Sequence, residues 1–502
     1  MARHRSQDVD PFSITRRRFL ALAGGGITLA PFVHAGCQKR VEVGQGQESG
    51  KTPDVTGLVL RANAFTAAPD GRSKEIWGYN GQLPGPLLRA KEGEMLRIKV
   101  VNELKVPTSV HWHGMHQPGT WQMDGVDAVS RPPIPPGSAF AYEFKATPAG
   151  THWYHSHVGV QYGEGLFGPL IVEERTPIAT YDREEILLIN DWYLESGDQI
   201  LAKLLKGVGM KMPGKKEKVA LRDKPDVGDV PFQSGLINGK GRAKGEKSPL
   251  FAVEVKKGET IRLRLINGSS TYALRFQIDG HPLTVIATDG APMQPAQVDN
   301  LVLGVGERFD VLLKAGQDGA HWIRAATLDG NEIRAVLRYV GASESEPTAA
   351  PVRWGERSLS LEQMRAREPV ELAEKPREIP FRLGGSMMPY RWDINGQFYP
   401  KADPVVLETD EPVRIRFQNP TAMDHPFHLH GHYFHVLGKP GALNLKDPVQ
   451  KDTVNVPAKS DLVIQWRAIN PGRWFFHCHI EWHLAAGMAR VMEIKPYSLS
   501  RS

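Results

Sequence analysis

Two cysteines in 502 residues are too few for a disulfide framework, so this chain must be held by apolar cores or by bound metal. Neither sign of charge dominates. The 62 Lys and Arg against 56 Asp and Glu leave +6, and residues 1–35 alone carry a net +3 of it. The remainder is too weakly basic to argue for nucleic acid as a partner. Long hydrophobic runs are scarce too. The N-terminal apolar stretch, Ala21 to Val33, is broken by Gly24-Gly25-Gly26 and falls short of the ~20 residues a spanning helix needs. It follows Thr15-Arg16-Arg17-Arg18-Phe19-Leu20 and ends at Val33-His34-Ala35. Residues 1–35 therefore read as a twin-arginine signal with a small-residue cleavage site. That reading implies the twin-arginine export machinery as a partner, a periplasmic or otherwise exported protein, and no transmembrane anchor in the mature chain. Cys37 reads as a processing-site residue or spare thiol, because His34 fits a lipid-attachment box poorly.

Turn formers and histidine are abundant. Gly 50 and Pro 38 favour short strands over long helices, and the chain repeats itself three times. Each copy opens on Asn-Gly (Asn80-Gly81, Asn238-Gly239, Asn395-Gly396) and runs on to an alternating strand ending at Asn102, Asn267 or Asn419. Period-two apolar spacing of this kind is half-buried β-strand. A later glycine then precedes a Trp-plus-bulky step: Gly150 with Trp153-Tyr154, Gly319 with Trp322-Ile323, Gly472 with Trp474-Phe475.

Measured from these landmarks, the first copy carries His111, His113, His155 and His157, and the third His428, His430, His477 and His479. The middle copy has Phe276, Ile278, Arg324 and Ala326 at the same offsets and reads as a metal-free spacer. Between the paired histidines stands Cys478 in the third copy, Ser156 in the first and Ala325 in the second. On an extended strand, His477 and His479 face one way and Cys478 the other. His425 precedes His428 by an odd spacing and so falls on the cysteine side, to which His483 and Met488 can return. One thiolate, imidazoles and a weak axial thioether form a blue-copper ligand set, and eight imidazoles suit two or three further coppers. Zinc is a poorer fit, since a redox-inert ion gains nothing from a thiolate wired to a second metal cluster.

This pattern resembles the multicopper oxidases, the laccase-like blue-copper enzymes. The resemblance lies in His111-Trp-His113-Gly114, His155-Ser-His157, His425-Pro-Phe-His428-Leu-His430 and the run from His477 through Cys478, His479 and His483 to Met488. Gly81 to Pro86 and Gly165 to Pro169 also look like the family. The resemblance implies an all-β chain of three consecutive cupredoxin-like Greek-key β-sandwich domains. The boundaries expected are 51–176, 177–345 and 346–502, the last beginning with a surface connector. It further implies four copper ions. His425, Cys478, His483 and Met488 would hold type 1; His111 and His428 type 2; His113, His155, His157, His430, His477 and His479 the type 3 pair. Single electrons from a small-molecule or metal-ion donor would then pass through Cys478 to the cluster, where O2 becomes water.

Proton supply needs acids near that cluster, and Asp124 and Glu481 match positions where the family keeps carboxylates. Their competing readings are a turn former and a solvated helix residue. Phenols, aromatic amines, Fe(II) and Cu(I) are all donors for such enzymes. Asp191 stands where iron oxidases carry an acid, whereas Met210-Lys-Met212 and Met387-Met388 are too sparse for a cuprous-oxidase insertion. His432 and His435 are candidates to line a donor approach. The alternative function is a periplasmic copper-tolerance protein, oxidising Cu(I) or Fe(II) or binding copper without turnover.

Overall fold

The computed structural model describes residues 56–207, 228–328 and 330–496. The twin-arginine segment, Cys37, Met210, Met212 and the lysine-rich insertion Lys211–Lys224 lie outside them. All described residues belong to one structural unit, Thr52–Ser502.

Six sheets make three sandwiches, and the three are built alike. In each, the first strand pairs in parallel with the alternating strand seen in the sequence. Thr56–Ala67 lies beside Met95–Asn102, Arg183–Trp192 beside Thr260–Asn267, and Arg377–Met387 beside Pro412–Asn419. An antiparallel neighbour follows: Ala139–Lys145, Arg308–Lys314 or Ser460–Arg467. The facing sheet carries the strands that matter here. Gly150–His155 pairs with His111–His113, Ala320–Thr327 with Leu274–Ile278, and Gly472–Cys478 with His425–Leu429.

The recurring asparagines explain why one plan holds three times. Asn80, Asn238 and Asn395 sit at φ 57, 49 and 58, each followed by a left-handed glycine. Two successive positive-φ residues make the tight primed hairpin turn that Asn-Gly favours. Each of these side chains also clamps the first strand of its sandwich. Asn80 accepts from Arg61 N and donates to Val59 O, Asn238 does so with Leu188 and Ile186, and Asn395 with Arg382 and Pro380. Asn102, Asn267 and Asn419 tie down the following loop. Their amides donate to Val106 and Ile134, to Tyr272 and Leu303, and to Met423 and Val456. Each such bond is worth about 1 kcal/mol net, and together they fix the entry of the strand that bears the histidines.

One expectation needs correction. In the third sandwich His428 faces His477, while Phe427 opposite Cys478 points into the apolar core. In the middle sandwich the core-facing pair is Phe276 opposite Ala325, and the outward pair is Gln277 opposite Arg324. The loop after Asn267 is one residue longer than its counterparts. The residues standing where the third domain has His428 and His430 are therefore Gln277 and Asp279, not Phe276 and Ile278.

Candidate metal centres

The strands of the first and third domains converge and bring all eight outward histidines together. His111 stacks on His430 with ring centroids 3.8 Å apart, and His113 stacks on His428 at 3.7 Å. Each His-x-His pair thus lies crosswise on the other, in a local two-fold arrangement. His157, His430 and His477 converge through their outer nitrogens. His477 Nε2 lies 3.1 Å from His430 Nε2 and 3.4 Å from His157 Nε2. His113, His155 and His479 form the other group, His479 lying 5.0 Å from His113 and 5.2 Å from His155 by ring centroid.

Main-chain carbonyls set the tautomers, since a carbonyl can only accept. His111 Nδ1 donates to Asp124 O, His155 Nδ1 to Ser156 O, His428 Nδ1 to Asp452 O and His477 Nδ1 to Cys478 O. The Nε2 lone pairs of these rings therefore face inward. Those of His111, His155 and His428 are buried with no hydrogen-bond partner among the described residues, and neither nitrogen of His479 has one. His113 is reversed. Its Nε2 lies 3.1 Å from Thr453 Oγ1, and Nδ1 is the orphan. Burial holds His113, His155, His157, His430, His477 and His479 well below the ordinary imidazole range. Neutral rings with bare, convergent nitrogens, unable to hydrogen-bond one another all at once, are what metal ions satisfy.

Across the strand, His425 Nδ1 and His483 Nδ1 lie 3.1 Å apart, at 3.8 and 3.5 Å from Cys478 Sγ. Met488 is buried beside them. Its N–H donates to His483 O, and its carbonyl accepts from Cys478 N. His425 Nε2 donates to Thr421 Oγ1, whose own proton goes to Asn419 Oδ1. The loop clamp of this domain thus also fixes the face that His425 turns to the thiolate.

Both acids read from the sequence are buried. Asp124 Oδ2 accepts from His430 Nδ1 at 2.9 Å, and Oδ1 stands 3.2 Å from His111 Nδ1. Glu481 accepts from Tyr162 N, and burial raises its carboxyl well above the usual range. It is not a solvated helix residue. Asp191 is also buried, its carboxylate taken by Ser270 N, Thr271 N and the Tyr193 hydroxyl. An incoming ion would have to displace these three donors. His432 packs between Trp466 and Trp474 and accepts from Asn470 N, a packing role. His435 lines a cavity of about 510 Å³ with Thr176–Ile178 and Ala366–Glu371.

Three residues carried no signal in the sequence. Asp229 Oδ2 stands 3.0 Å from His483 Nε2 and accepts from the Tyr390 hydroxyl at 2.8 Å. Asp452 and Thr453 flank His113 and His428. Loop aspartates at irregular distances from their histidines follow no repeat that could reveal them.

A thiolate–imidazole centre back to back with an eight-histidine centre defines a copper redox protein. The chain belongs to the multicopper oxidase family: family models of that description match residues 62–177, 183–342 and 374–498. It is 35% identical to multicopper oxidase MmcO of Mycobacterium tuberculosis, over 83% of this chain and 82% of the relative. It is 34% identical to laccase-1 of Agaricus bisporus, over 86% and 88%. Among solved structures, Fet3p, a multicopper oxidase that functions in iron import, superposes with TM-score 0.77 at 25% identity, over 88% of this chain and 90% of that one. The laccase of Botrytis aclada does so with TM-score 0.76 at 30% identity, over 87% of each. The protein is thus a laccase-like oxidoreductase that uses four coppers and takes O2 as acceptor, with a small molecule or metal ion as donor. No helix among the described residues is long and apolar enough to cross a membrane.

Proposed function

We propose that small phenols or aromatic amines are the donors, oxidised one electron at a time beside His483. The observation that carries this is Asp229, whose carboxylate meets the outer nitrogen of His483. Oxidising a phenol releases a proton, and a single carboxylate at the point of electron transfer can receive it. A metal cation would instead need several oxygen ligands, and one carboxylate supplies few. Apolar surface lies close by. Exposed Leu205 ends the helix Gly197–Leu205, and exposed Met388 lies against Gly207.

The ligand assignment follows the geometry. His425, Cys478, His483 and Met488 would hold type 1 copper, and His111 and His428 type 2. His157, His430 and His477 would hold one type 3 ion, and His113, His155 and His479 the other. Copper in these sites supplies the one-electron steps that join donor oxidation to the four-electron reduction of O2. Cys478 is bonded through the main chain to His477 and His479, so the two centres share a covalent path. Asp124 keeps the Nδ1 proton on His430, and Glu481, its carboxyl raised by burial, would serve as a proton store near His479. The three domains would divide at the boundaries expected from the sequence, and the arginine-pair leader supports export to the periplasm.

The test is O2 uptake by copper-loaded protein given a phenol, Fe(II) or Cu(I), repeated with Asp229→Ala. Phenol turnover should lead the panel, and the substitution should cut it about 100-fold. A donor that loses no proton on oxidation should be spared. Fe(II) or Cu(I) outpacing the phenol would sink the reading.

A further inference from the structure

The middle domain holds no metal-binding group among the described residues, yet it reaches the eight-histidine centre. Its loop Gly304–Arg308 closes against the rings. A Cβ on Gly306, at φ 84, would meet His479 Cδ2 at 3.0 Å and His113 Cε1 at 3.1 Å. Next to it, Arg308 is fully buried, and each of its five N–H groups has an acceptor. Nε donates to Thr151 O of the first domain, and Nη1 and Nη2 donate to Gly306 O and Asp289 O of the middle one. Both Nη groups also clasp Asp452 of the third domain, at 2.6 Å each. One guanidinium therefore joins all three domains, in the bidentate geometry only arginine offers a carboxylate.

What Asp452 does next is set by donor counting. Its Oδ1 takes the single hydroxyl proton of Thr453 at 2.8 Å. Thr453 Oγ1 can then only accept, and it lies 3.1 Å from His113 Nε2. His113 is thereby held with its proton on Nε2 and its lone pair on Nδ1, facing the cluster. Were the hydroxyl free to turn, it could donate to Nε2, and the ring proton would move to Nδ1 and block that ligand. Thr453 N is held in turn by Asp289 Oδ2 of the middle domain, and the Asp452 carbonyl fixes His428.

We propose that Arg308 is a positioning residue for the trinuclear site, acting through Asp452 and Thr453 to keep His113 Nδ1 and His428 Nε2 bare for copper. This rests on the multicopper reading and adds that the middle domain sets the ligand tautomers.

The test is chelator titration of copper-loaded Arg308→Lys, followed by copper per chain and by the EPR signal of the type 2 ion. The thiolate absorbance in the same sample serves as internal reference. Copper should leave the histidine centre at about 10- to 100-fold lower chelator than in the parent chain, with the thiolate band intact. Arg262→Lys is the control. Arg262 is equally buried between the first two domains, paired with Glu174 and Asp310, but does not touch Asp452. Retention unchanged in Arg308→Lys, or lost equally in Arg262→Lys, overturns the proposal. Should Arg308→Lys fail to fold, Thr453→Val carries the test: it removes only the last link, and unchanged retention there overturns the proposal as well. A parent chain with no thiolate band would instead count against the copper reading itself.

Discussion

The same outward face is built twice, once for metal and once for charge. In the third domain it carries His428, His430, His477 and His479; in the middle domain it carries Gln277, Asp279, Arg324 and Ala326. Arg324 Nε donates to both Asp279 oxygens at 2.9 and 2.8 Å, and Gln277 donates to the same carboxylate. A polar sheet face cannot be left bare, and the two domains answer that demand differently. The third domain buries its face against the matching face of the first, where nitrogens with no hydrogen-bond partner among the described residues converge as metal ligands would. The middle domain satisfies its own face internally, with the segment near Arg353 and Gly355 alongside. An ion pair closes a surface, whereas orphaned imidazoles hold it open for a ligand.

The sharpest way to break the comparison is at Cys478, where the third domain has a thiolate and the middle has Ala325. Cys478→Ser should abolish the absorbance near ~600 nm that a thiolate–Cu(II) site gives, together with donor-driven O2 uptake. Copper in the histidine centre should remain. Loss of all four coppers would mean the two centres are not separable. Asp124→Ala is expected to rank next. It should slow reoxidation by O2 about 100-fold and leave the blue absorbance untouched, read by stopped flow on reduced enzyme. Unchanged reoxidation removes Asp124 from proton delivery and leaves it as a ring-orienting group.

The middle domain should respond in stability alone. Arg324→Met takes the guanidinium from Asp279 and Glu332. Arg324 is 2% exposed but Asp279 33%, so water recovers part of the loss. A cost on the order of 2 kcal/mol in urea unfolding is expected, with copper per chain unchanged. A fall in copper content would make this face part of the metal machinery after all.

The repeat was readable because it is written in residues with steric duties. Asn80, Asn238 and Asn395 are needed at positive φ, and Asn102, Asn267 and Asn419 each bind both ends of a loop. The metal ligands stood at offsets from those same landmarks, so their convergence followed from strand alternation. The slip at Phe276 shows the limit of counting. The repeat's offsets run from Asn267, and one extra loop residue there moves every later side chain to the opposite face. Asp452, Thr453 and Arg308 were silent for a different reason. Their role is a hydrogen-bond sequence across three domains, and no local pattern encodes it. Asp191 was visible but misplaced, because its motif does not reveal that Ser270, Thr271 and Tyr193 surround it.

Asp191 gives the mildest test of how the middle domain handles charge, and its sign can be worked out. Burial is the largest influence and raises the carboxyl to about 6, against the backbone and Tyr193 donors that lower it. The unfolded chain would titrate near the ordinary aspartate value of 3.8. Between those values the native state holds a proton that the unfolded state has released, so stability falls as pH rises through that window. The contribution is fully present below the lower value and gone above the upper one. The linked loss is on the order of 2 kcal/mol between about pH 4 and 6. Asp191→Asn should flatten that slope in urea unfolding curves, whatever it does to absolute stability. An unchanged slope would show Asp191 ionised throughout, its donors outweighing its burial. The middle domain would then keep a hydrogen-bonded anion in its core beside Ser270, where the third domain keeps neutral imidazoles.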